Sequence, residues 1–572
     1  MSAHPWIDAY PPGTRWDAPL HPCALPEVLA RAAVRWPTRT ALRFEGAALS
    51  YAQLDQACDR FARALTRLGV RPGSHVGLYL PNTPHYVIGF FAVLRAGGTV
   101  VNYSPLDAGP VLAHKIEDSR TDLILTLDVP ELADRMRGFL DSTRLATLVL
   151  GGVEDFRPAA PARHPPAADG DARCVRFADM LAAEAAAQAQ DATPQPATAR
   201  PPAELQALAV LQYTGGTTGH PKGAMLTHAN LSSALGQLRA MWLDGGLVAE
   251  GEERFLVVLP LFHIYSLVAN MLFGLSVGAE LTLHQRFDTP SAANAIEHER
   301  ITVFFGVPTL FVALATHEAV THRHLRSLKL CNSGGAPLSQ ESYRRFVDKA
   351  RCRLLEGWGM TETCGLGTLS TGFGEHAIGS AGVPVAHADL VFLDTQTGRE
   401  VPPGEKGELC IRGPNVMAGY WQRPDETAQS FHGDGYLRTG DVGYMTAQGL
   451  VYLVDRTKDM MICGGFNVYP RHIEEAIYQH PAVEEVIVIG LPDAYRGQTP
   501  KAFVKLKAGA APLSLDELRA FLRERLGRHE MPTALELREA LPKTPVGKLS
   551  KKELHAEVAA AATAATAAAA AG

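Results

Sequence analysis

The chain has 572 residues, of which 46% are hydrophobic, 20% charged and 7% aromatic, and its formal net charge is -6 at pH 7. This length exceeds what one hydrophobic core of ordinary size organises, so we expect a large region and at least one smaller domain. The slightly acidic balance lacks the basic footprint that nucleic-acid binding requires, which argues against DNA or RNA as a partner.

The cysteines are spread along the chain and show no CxxC pair or other spacing typical of a zinc site or a disulfide scaffold. A reducing compartment is the natural setting for such thiols, so we expect a cytoplasmic protein. The first residues carry no basic segment followed by an apolar stretch, which argues against secretion.

Residues 26–150 alternate amphipathic, helix-like segments with short apolar runs. The pattern predicts a helix over residues 51–68 with Ser50 as its cap, and a buried strand at the run HVGLYL. Such alternation is typical of an α/β fold built in layers. Residues 155–202 are rich in alanine and proline around a short helix-like piece, and we expect an exposed excursion there.

Further strand-like runs follow, several of which lead into glycine-rich or polar turns. They are ALAVLQY, FLVVLP, AELTLH, TVFFGV, RLLEG, GELCIRG and GLVYLVD. Because ligands of open α/β sheets gather at the ends of such strands, these turns are candidate binding segments.

Residues 255–279 contain no Asp, Glu, Lys or Arg, and 25 positions are enough on length alone to span a bilayer. Pro260, His263 and Asn270 interrupt the stretch, together with several glycines and serines. A buried strand, a turn and a helix fit this pattern, and we expect no transmembrane span.

The sequence pattern changes after Lys458, where it predicts a compact succession of helix, strand, strand and helix. The second helix opens with a capping box formed by Ser514 and Glu517. We therefore expect a large N-terminal domain over residues 1–457, a small α+β domain over residues 458–555 and an alanine-rich tail over residues 556–572.

The run ALAVLQY leads directly into TGGTTGHPKG. Glycines let backbone amides approach phosphate oxygens closely, and the threonines and lysine add donors and positive charge. The segment does not match the Walker pattern, because His220 and Pro221 separate Gly219 from Lys222. Taken alone, it fits either a phosphate loop or a flexible surface turn.

Seven motifs occur in an order that is informative as a set: YTGGTTGHPKG, PLFHIYSL, NSGGAPL, EGWGMTET, GYLRTGDVG, DRTKDMMICGGFNVYP and LPKTPVGK. They resemble the adenylate-forming ligases, which include acyl-CoA synthetases, firefly luciferase and the adenylation domains of peptide synthetases. The first motif, with GYWQRPDET and GGFNVYPRHIEE, is most similar to bacterial medium- and long-chain fatty acyl-CoA synthetases. The resemblance implies a large region of layered α/β subdomains with a small, mobile α+β C-terminal domain.

The resemblance also implies a site for ATP. The residues that would wrap the β- and γ-phosphates are Thr214, Gly215, Gly216, Thr217, Thr218 and Gly219, with Lys222 as an auxiliary charge. The residues that would flank or stack on adenine are Gly335, Ala336, Pro337, Trp358 and Gly359. Trp358 stands where most relatives carry tyrosine, which keeps a stacking ring but removes a phenol hydroxyl. Asp441 would accept from both ribose hydroxyls, assisted by Arg456.

Four residues would act on the reacting groups, again by resemblance. Thr361 would touch the α-phosphate, and Glu362 would hold Mg²⁺, a hard cation that keeps substrate phosphates among its ligands. Lys548 would bridge the carboxylate and α-phosphate oxygens during adenylation. His263 would lie between the acyl site and the route of the incoming thiol, in a positional role, since a CoA thiol needs no strong base.

The second half-reaction needs different surroundings for the same carbonyl group, and the family meets this need by rotating its small domain about one hinge residue. The hinge position falls on Lys458. Rotation would withdraw Lys548 and bring Gly465 against a narrow channel for pantetheine, where a side chain would not fit. Lys458→Pro should therefore permit adenylate formation and block thioester production.

The apolar runs favour a fatty acid as substrate, with ATP and coenzyme A as co-substrates, because an amino acid would need a buried carboxylate for its ammonium group. A dicarboxylic, aryl or luciferase-like acid stays open, and an amino-acid adenylation module is the weaker enzymatic alternative. A non-enzymatic sensor of nucleotide or acyl-CoA is the alternative from another class. The sequence sets neither an oligomeric state nor a peripheral membrane contact.

Overall fold

The computed structural model describes residues 4–156, 171–190, 204–214, 221–373, 377–457, 459–463, 466–493, 496–544, 547–558 and 560. The strands form four sheets of seven, nine, five and five strands. The first three sheets belong to a large N-terminal unit, and the fourth lies in a smaller C-terminal unit. This architecture confirms the predicted fold class, a layered α/β region followed by a small α+β unit.

The N-terminal sheet has seven strands, and its neighbours run parallel except for one antiparallel pair at the edge. In sheet order the strands are Cys174–Arg176, Thr147–Gly151, Leu123–Leu127, His75–Tyr79, Thr99–Asn102, Leu208–Thr214 and Lys222–Thr227. The predicted buried strand HVGLYL is confirmed, since every residue of His75–Tyr79 is buried.

The central sheet has nine strands and carries the turns that shape the cleft described below. In sheet order they are Val383–Pro384, Thr368–Leu369, Arg353–Trp358, Leu330–Ser333, Val303–Gly306, Arg254–Val257, Glu280–Leu283, Thr40–Phe44 and Ala47–Ser50. The six strands from Arg353–Trp358 to Thr40–Phe44 run parallel, so their carboxyl ends open at one edge.

The third sheet is antiparallel throughout and completes the large unit. Its strands are Asp389–Leu393, Gly407–Arg412, Tyr436–Met445, Phe431–His432 and Val451–Arg456. The α-helices of the large unit are Leu25–Arg35, Tyr51–Arg67, Pro84–Arg95, Gly109–Asp118, Pro130–Arg137, Phe177–Gln190, His228–Leu238, Phe273–Ser276, Thr289–His298, Pro308–Thr316, His322–Leu325, Gln340–Ala350 and Pro424–Ser430. Ser50 caps helix Tyr51–Arg67 as predicted, because its side chain accepts from the backbone N–H of Gln53.

The C-terminal unit packs two helices, Pro470–Tyr478 and Leu515–Leu522, on a mixed sheet. Its strands are Phe466–Val468, Met461–Cys463, Gly497–Leu506, Val483–Asp493 and Ala534–Leu537. The predicted capping box is present, since Ser514 accepts from the N–H of Glu517 and the Glu517 carboxylate accepts from Ser514.

A buried polar network ties the N-terminal and central sheets together beside helix Pro84–Arg95, all of whose residues are buried. The side-chain amide of Asn82 donates to the carbonyls of Val257, at 3.2 Å, and Leu259, at 3.0 Å. Gln212 donates to the carbonyl of Phe262 at 2.9 Å. Because buried polar groups are costly unless paired, these bonds fix how the strand ends of the two sheets meet.

The prediction of an exposed excursion over residues 155–202 is wrong for its middle. Strand Cys174–Arg176 adds an edge to the N-terminal sheet, and helix Phe177–Gln190 packs on helix Tyr51–Arg67. Phe177 is fully buried, with its ring 4.7 Å from that of Phe61 and 4.8 Å from that of His85. The alanine-rich segment is held by aromatic contacts that its own composition does not reveal.

Phe177→Ala is expected to destabilise the large unit by about 3 kcal/mol, because it leaves a cavity against Phe61 and His85. Urea unfolding of the full chain would measure the change as a lower midpoint. Gln188→Ala is the matched control: this side chain is exposed and accepts only a solvent-exposed hydrogen bond from Arg60 at 3.1 Å, so its loss should lower the midpoint far less. Equal midpoints for both variants would show that the helix adds nothing to the core.

Residues 255–279 form a strand, a turn and a helix, as predicted. The strand is Arg254–Val257, and a π-helical stretch, Ser266–Leu272, continues into Phe273–Ser276. Across the described parts of the chain, the structure has no helix with the length and apolar character needed to cross a membrane.

Candidate active site

A cleft of about 1070 Å³ lies between the large unit and the C-terminal unit. It brings together every predicted site residue that the structure describes. These are Thr214, Lys222, His263, Gly335, Ala336, Pro337, Trp358, Gly359, Thr361, Glu362, Asp441, Arg456 and Lys548. The remaining predicted residues lie outside the described parts of the chain: Gly215, Gly216, Thr217, Thr218, Gly219, Lys458 and Gly465.

A β-hairpin frames the glycine-rich segment. Its strands Leu208–Thr214 and Lys222–Thr227 pair antiparallel, which places Thr214 directly opposite Lys222. Lys222 forms an ion pair with Glu426, and its Nζ lies 5.4 Å from the ring centre of Tyr420. Lys222 is thus anchored at the mouth of the loop and not a freely solvated lysine.

Glu362 sits in a short 3-10 turn, Thr361–Thr363, directly after strand Arg353–Trp358. Only 6% of Glu362 is exposed, and one carboxylate oxygen accepts from the Tyr420 hydroxyl at 2.8 Å. Burial raises the pKa of Glu362, while the Tyr420 hydrogen bond opposes that shift. A buried carboxylate beside a phosphate loop is a suitable anchor for a cation shared with phosphates.

The described residues include no group of three or more His, Cys, Asp or Glu side chains that could hold a metal by themselves. A lone glutamate fits Mg²⁺ nonetheless, because Mg²⁺ is usually bound by one or two carboxylates together with substrate phosphates and water. Glu362 and Thr361 both line the cleft on the side of the hairpin that carries Thr214 and Lys222. The residues present therefore fit a magnesium–ATP complex.

The predicted ribose carboxylate, Asp441, is held from two sides. The Nε of Arg456 donates to its Oδ1 at 2.8 Å, and the indole N–H of Trp358 donates to its Oδ2 at 2.8 Å. Asp441 and Arg456 lie opposite each other on paired strands of the third sheet. The proximity of Asp441 raises the pKa of Arg456, so this guanidinium stays charged.

The segment Gly335, Ala336 and Pro337 follows strand Leu330–Ser333 and lies against Lys548. Gly335 has φ of +79°, and a Cβ atom added there would lie 2.6 Å from the Nζ of Lys548. Glycine is favoured at this position by its left-handed backbone conformation, and its missing side chain leaves room for the tip of Lys548. Gly359 is equally constrained, since an added Cβ would overlap the backbone of Gly365.

Lys548 reaches the cleft from a tight loop of the C-terminal unit. Gly547, next to it, accepts a hydrogen bond from the Thr309 hydroxyl of the large unit at 3.0 Å. Burial, together with the nearby charge of Arg456 and against the opposing effect of Asp441, lowers the pKa of Lys548 to about 8. Lys548 is thus placed as a desolvated ammonium close to the groups that would bind ribose and phosphate.

A second charged cluster holds the two units in this arrangement. Lys551 lies 3.8 Å from Asp455 of the large unit and 3.5 Å from Glu474 of the C-terminal unit. Arg471 donates from its backbone N–H to Asp455 at 2.9 Å and from its guanidinium to the carbonyl of Leu453 at 2.7 Å. These contacts support the loop that carries Lys548.

His263 is placed by the network that ties the two sheets. The neighbouring Leu261 donates to Asn82 at 2.8 Å, and its carbonyl accepts from the Tyr86 hydroxyl at 2.8 Å. Burial lowers the pKa of His263 to about 3, and its Nδ1 accepts from the backbone N–H of Tyr265 at 3.3 Å. A neutral imidazole fits the positional role that the sequence predicts.

Five apolar side chains form one part of the cleft lining, the apolar arm. Its lining side chains are Leu238, Trp242, Ile264, Val268 and Ala269. Leu238 ends helix His228–Leu238, and Trp242 lies in the π-helical stretch Arg239–Leu243 that follows it. The other three lie in or just before the second π-helical stretch, Ser266–Leu272. All five of these residues are largely buried. The arm can take an apolar tail without leaving unpaired charge on the protein.

Sequence reasoning did not assign roles to three residues that hold the site. Tyr420 binds Glu362, Glu426 binds Lys222, and Thr309 binds the loop of Lys548. Tyr420 and Glu426 lie in the motif GYWQRPDET. The resemblance of this motif to fatty acyl-CoA synthetases is the sequence feature that could have identified them. Thr309 carried no signal, because its partner is distant in the chain.

The rate of adenylation is expected to fall as the pH rises through about 8, because Lys548 loses its proton there and the cation is needed in the transition state. The measurement is kcat/KM for ATP from pyrophosphate exchange, which needs no thiol. Lys548→Arg should remove this fall in rate at alkaline pH, since a guanidinium stays charged throughout the pH range. If kcat/KM of that variant still fell at the same pH, the fall would belong to another titrating group.

Comparison with known proteins settles the family. A model of the AMP-binding enzyme matches residues 29–421, and a model of the AMP-binding enzyme C-terminal domain matches residues 472–548. The chain belongs to the AMP-binding enzyme family. Both parts of this AMP-binding enzyme contribute to the cleft, the larger with Glu362 and the smaller with Lys548.

Relatives and solved structures agree with this assignment over nearly the whole chain. A long-chain-fatty-acid–CoA ligase of Bacillus subtilis (strain 168) is 37% identical over 97% of this chain and 98% of the relative. A feruloyl-CoA synthase of Amycolatopsis sp. is 37% identical over 91% of this chain and 97% of the relative. The anthranilate CoA ligase AuaEII in complex with anthranoyl-AMP has a TM-score of 0.82 at 25% identity, covering 96% of this chain and 99% of that one.

An ATP-bound structure is also similar. MatB from Rhodopseudomonas palustris matches with a TM-score of 0.80 at 28% identity, covering 92% of this chain and 98% of that one. The predicted membership of the adenylate-forming ligases, and with it an enzyme that uses ATP, is therefore confirmed.

Proposed function

We propose that this enzyme activates a fatty acid of medium or long chain with ATP and then transfers the acyl group to coenzyme A. The observation that carries the proposal is the position of Lys548, which lies close enough to Asp441 and Arg456 to feel their charges and lines the same cleft as the apolar arm. Adenine, ribose, phosphate and acyl groups then all have sites that meet at one ammonium.

In the first half-reaction a carboxylate oxygen attacks the α-phosphorus of ATP, an acyl–phosphate bond forms and pyrophosphate leaves. Two anions approach each other, so the site must supply positive charge and donors where charge develops. Lys548 supplies the ammonium, and Thr361 the hydroxyl nearest the α-phosphate. Thr214 to Gly219 and Lys222 would hold the β- and γ-phosphates.

Mg²⁺ would be held by Glu362 together with phosphate oxygens, and it would neutralise charge on the leaving pyrophosphate. Tyr420 orients the Glu362 carboxylate through its 2.8 Å hydrogen bond. Thr361 and the hairpin that carries Lys222 face the same side of the cleft. The nucleotide is thus bound at ribose and phosphates independently.

In the second half-reaction the thiolate of coenzyme A attacks the acyl carbonyl, a thioester forms, the bond between the acyl carbon and the phosphate oxygen breaks, and AMP leaves. We assign residues 1–457 to the large domain, residues 458–555 to a mobile C-terminal domain and residues 556–572 to a tail. Lys458 is the proposed hinge and Gly465 the proposed lining of the pantetheine channel. Lys458→Pro should then retain adenylation and lose thioester formation.

The apolar arm beside Trp242 and Val268 supports an apolar acyl tail, as does the similarity to the long-chain-fatty-acid–CoA ligase of Bacillus subtilis. An aryl acid is the second candidate, because the feruloyl-CoA synthase is 37% identical over 91% of this chain. We place the enzyme in the cytoplasm, which its eight cysteines, none of them in a disulfide within the described residues, favour, and expect no nucleic-acid partner.

The deciding experiment is acid-dependent exchange of labelled pyrophosphate into ATP, measured over hexanoate, decanoate, palmitate, adipate and ferulate. The fatty acids should give the highest kcat/KM, and adding coenzyme A should convert the adenylate to thioester with AMP release. A preference for ferulate or adipate would show that an aryl or dicarboxylic acid, and not a fatty acid, is the substrate. The absence of exchange with every acid would overturn the ligase proposal itself.

A further inference from the structure

The contact between Trp358 and Asp441 joins two parts of the nucleotide site. The indole Nε1–H of Trp358 donates to Oδ2 of Asp441 at 2.8 Å, while Arg456 donates to the other oxygen at 2.8 Å. Trp358 is 8% exposed and Asp441 is 6% exposed, so water competes little for this bond. The residue expected to stack on adenine is therefore bonded to the residue expected to bind ribose.

The indole ring has no room to turn away from this contact. Gly367 lies against the edge of the six-membered ring, and a Cβ atom added there would overlap Cζ3 and lie 2.6 Å from Cε3. The backbone N–H of Gly367 also donates to the carbonyl of Trp358 at 2.8 Å. The ring is fixed between Gly367 at one edge and Asp441 at the other.

The number of acceptor sites on Asp441 gives this bond a function. An ionised carboxylate has two oxygens and can accept about four hydrogen bonds. Trp358 and Arg456 each take one oxygen, which leaves one further acceptor position on each for a sugar hydroxyl. Without the indole N–H, Oδ2 is held only through Arg456, and the carboxylate can turn away from the plane that suits both hydroxyls.

We propose that Trp358 is a positioning residue that aligns the carboxylate of Asp441 for the ribose hydroxyls, so that adenine and ribose are recognised as one unit. Removing the N–H alone should weaken the binding of AMP by about tenfold, as expected for a hydrogen bond to a charged group. The inference deepens the proposed function, since it takes the nucleotide site of the acid-activating reaction as given.

The test compares Trp358→Phe with the wild-type full chain, because phenylalanine keeps an aromatic face and lacks the donor. Calorimetry would measure the affinities of AMP, 2′-deoxy-AMP and 3′-deoxy-AMP. In the wild type each missing hydroxyl should cost about tenfold, and in the variant this penalty should shrink to about twofold to threefold. If Trp358 only stacked on adenine, its replacement would weaken the binding of all three ligands by the same factor. Both hydroxyl penalties would then stay unchanged.

An unchanged hydroxyl penalty in Trp358→Phe would therefore overturn the proposal. Trp16→Phe is the matched control, because its indole N–H donates to the carbonyl of Ala388 at 3.3 Å and neither residue lines the cleft. It should alter neither AMP affinity nor the penalties. Trp358→Leu, which also lacks the donor, is a second variant should Trp358→Phe unfold, and it should show the same reduced penalty because lost stacking weakens all three ligands alike.

The inference and the proposed function fail in distinguishable ways. AMP binding with a reduced hydroxyl penalty in Trp358→Phe supports the inference without any acid or coenzyme A present. Absence of pyrophosphate exchange in the wild type, with normal AMP binding, would overturn the proposed reaction and leave the alignment by Trp358 intact. For the active enzyme, Trp358→Phe should raise KM for ATP about tenfold and change kcat by less than threefold.

Discussion

Replacing Lys548 by methionine is expected to slow acyl-adenylate formation at least about 100-fold, which corresponds to the loss of one transition-state donor. The methionine side chain fills similar space over Gly335 but removes the charge from the point where the carboxylate meets the α-phosphate. Thioester formation from preformed acyl-adenylate should stay within about threefold of the wild-type rate, because the proposed rotation of the C-terminal domain withdraws Lys548 from the site before that step. Pyrophosphate exchange and single-turnover thioester formation would measure the two steps separately.

Lys543→Met is the matched control for this variant. Lys543 precedes the same loop, is more exposed and pairs with Glu485 at 2.6 Å. Its replacement should leave both half-reactions unchanged. If Lys548→Met slowed the two half-reactions equally, the lysine would serve the shape of the cleft and not the first step.

Glu362→Gln is expected to reduce adenylation at least about 100-fold by removing the one negative charge available for Mg²⁺ at this point of the cleft. The amide oxygen can still accept from Tyr420, so the turn Thr361–Thr363 should keep its geometry. Raising the Mg²⁺ concentration in the pyrophosphate-exchange assay should recover part of the rate. A variant with wild-type rate and Mg²⁺ dependence would exclude Glu362 as the magnesium ligand.

Glu356 offers a control of the same chemistry. It is a second buried carboxyl lining the cleft, and burial raises its pKa to about 7, opposed by hydrogen bonds from the N–H groups of Leu338 and Gly379. Because this carboxyl is already partly neutral near pH 7, Glu356→Gln should change adenylation by less than about threefold. Comparable losses in both variants would point to a general effect of lost negative charge.

Local patterns predict much of the fold, and they do so where the cause is local. Ser50 and Ser514 each precede a helix whose first N–H groups lack partners, and a side-chain oxygen satisfies them. The helix-like piece predicted within residues 155–202 is present as Phe177–Gln190, but its burial is not predicted, because its alanine-rich sequence has weak apolar periodicity. Its position depends on Phe61 and His85, which are distant in the chain.

The same contrast between local sequence patterns and contacts distant in the chain holds for the site. Motif resemblance predicts that Thr361, Glu362 and Lys548 reach one cleft, and the structure places them there. It does not predict their partners, because Tyr420 and Thr309 meet them only through the tertiary fold. The substitution of tryptophan at position 358 suggested only a lost phenol, whereas the structure shows a new donor aimed at Asp441.

The buried network between the N-terminal and central sheets has a consequence for how the affinities of two substrates are coupled. Gln212 stands two residues before Thr214 on the hairpin strand, and its amide donates to Phe262, the neighbour of His263. Any shift of that strand on nucleotide binding would move Phe262 and, with it, the segment that continues into the apolar arm. Nucleotide and acid would then be thermodynamically linked ligands, and each would change the other's affinity by the same factor.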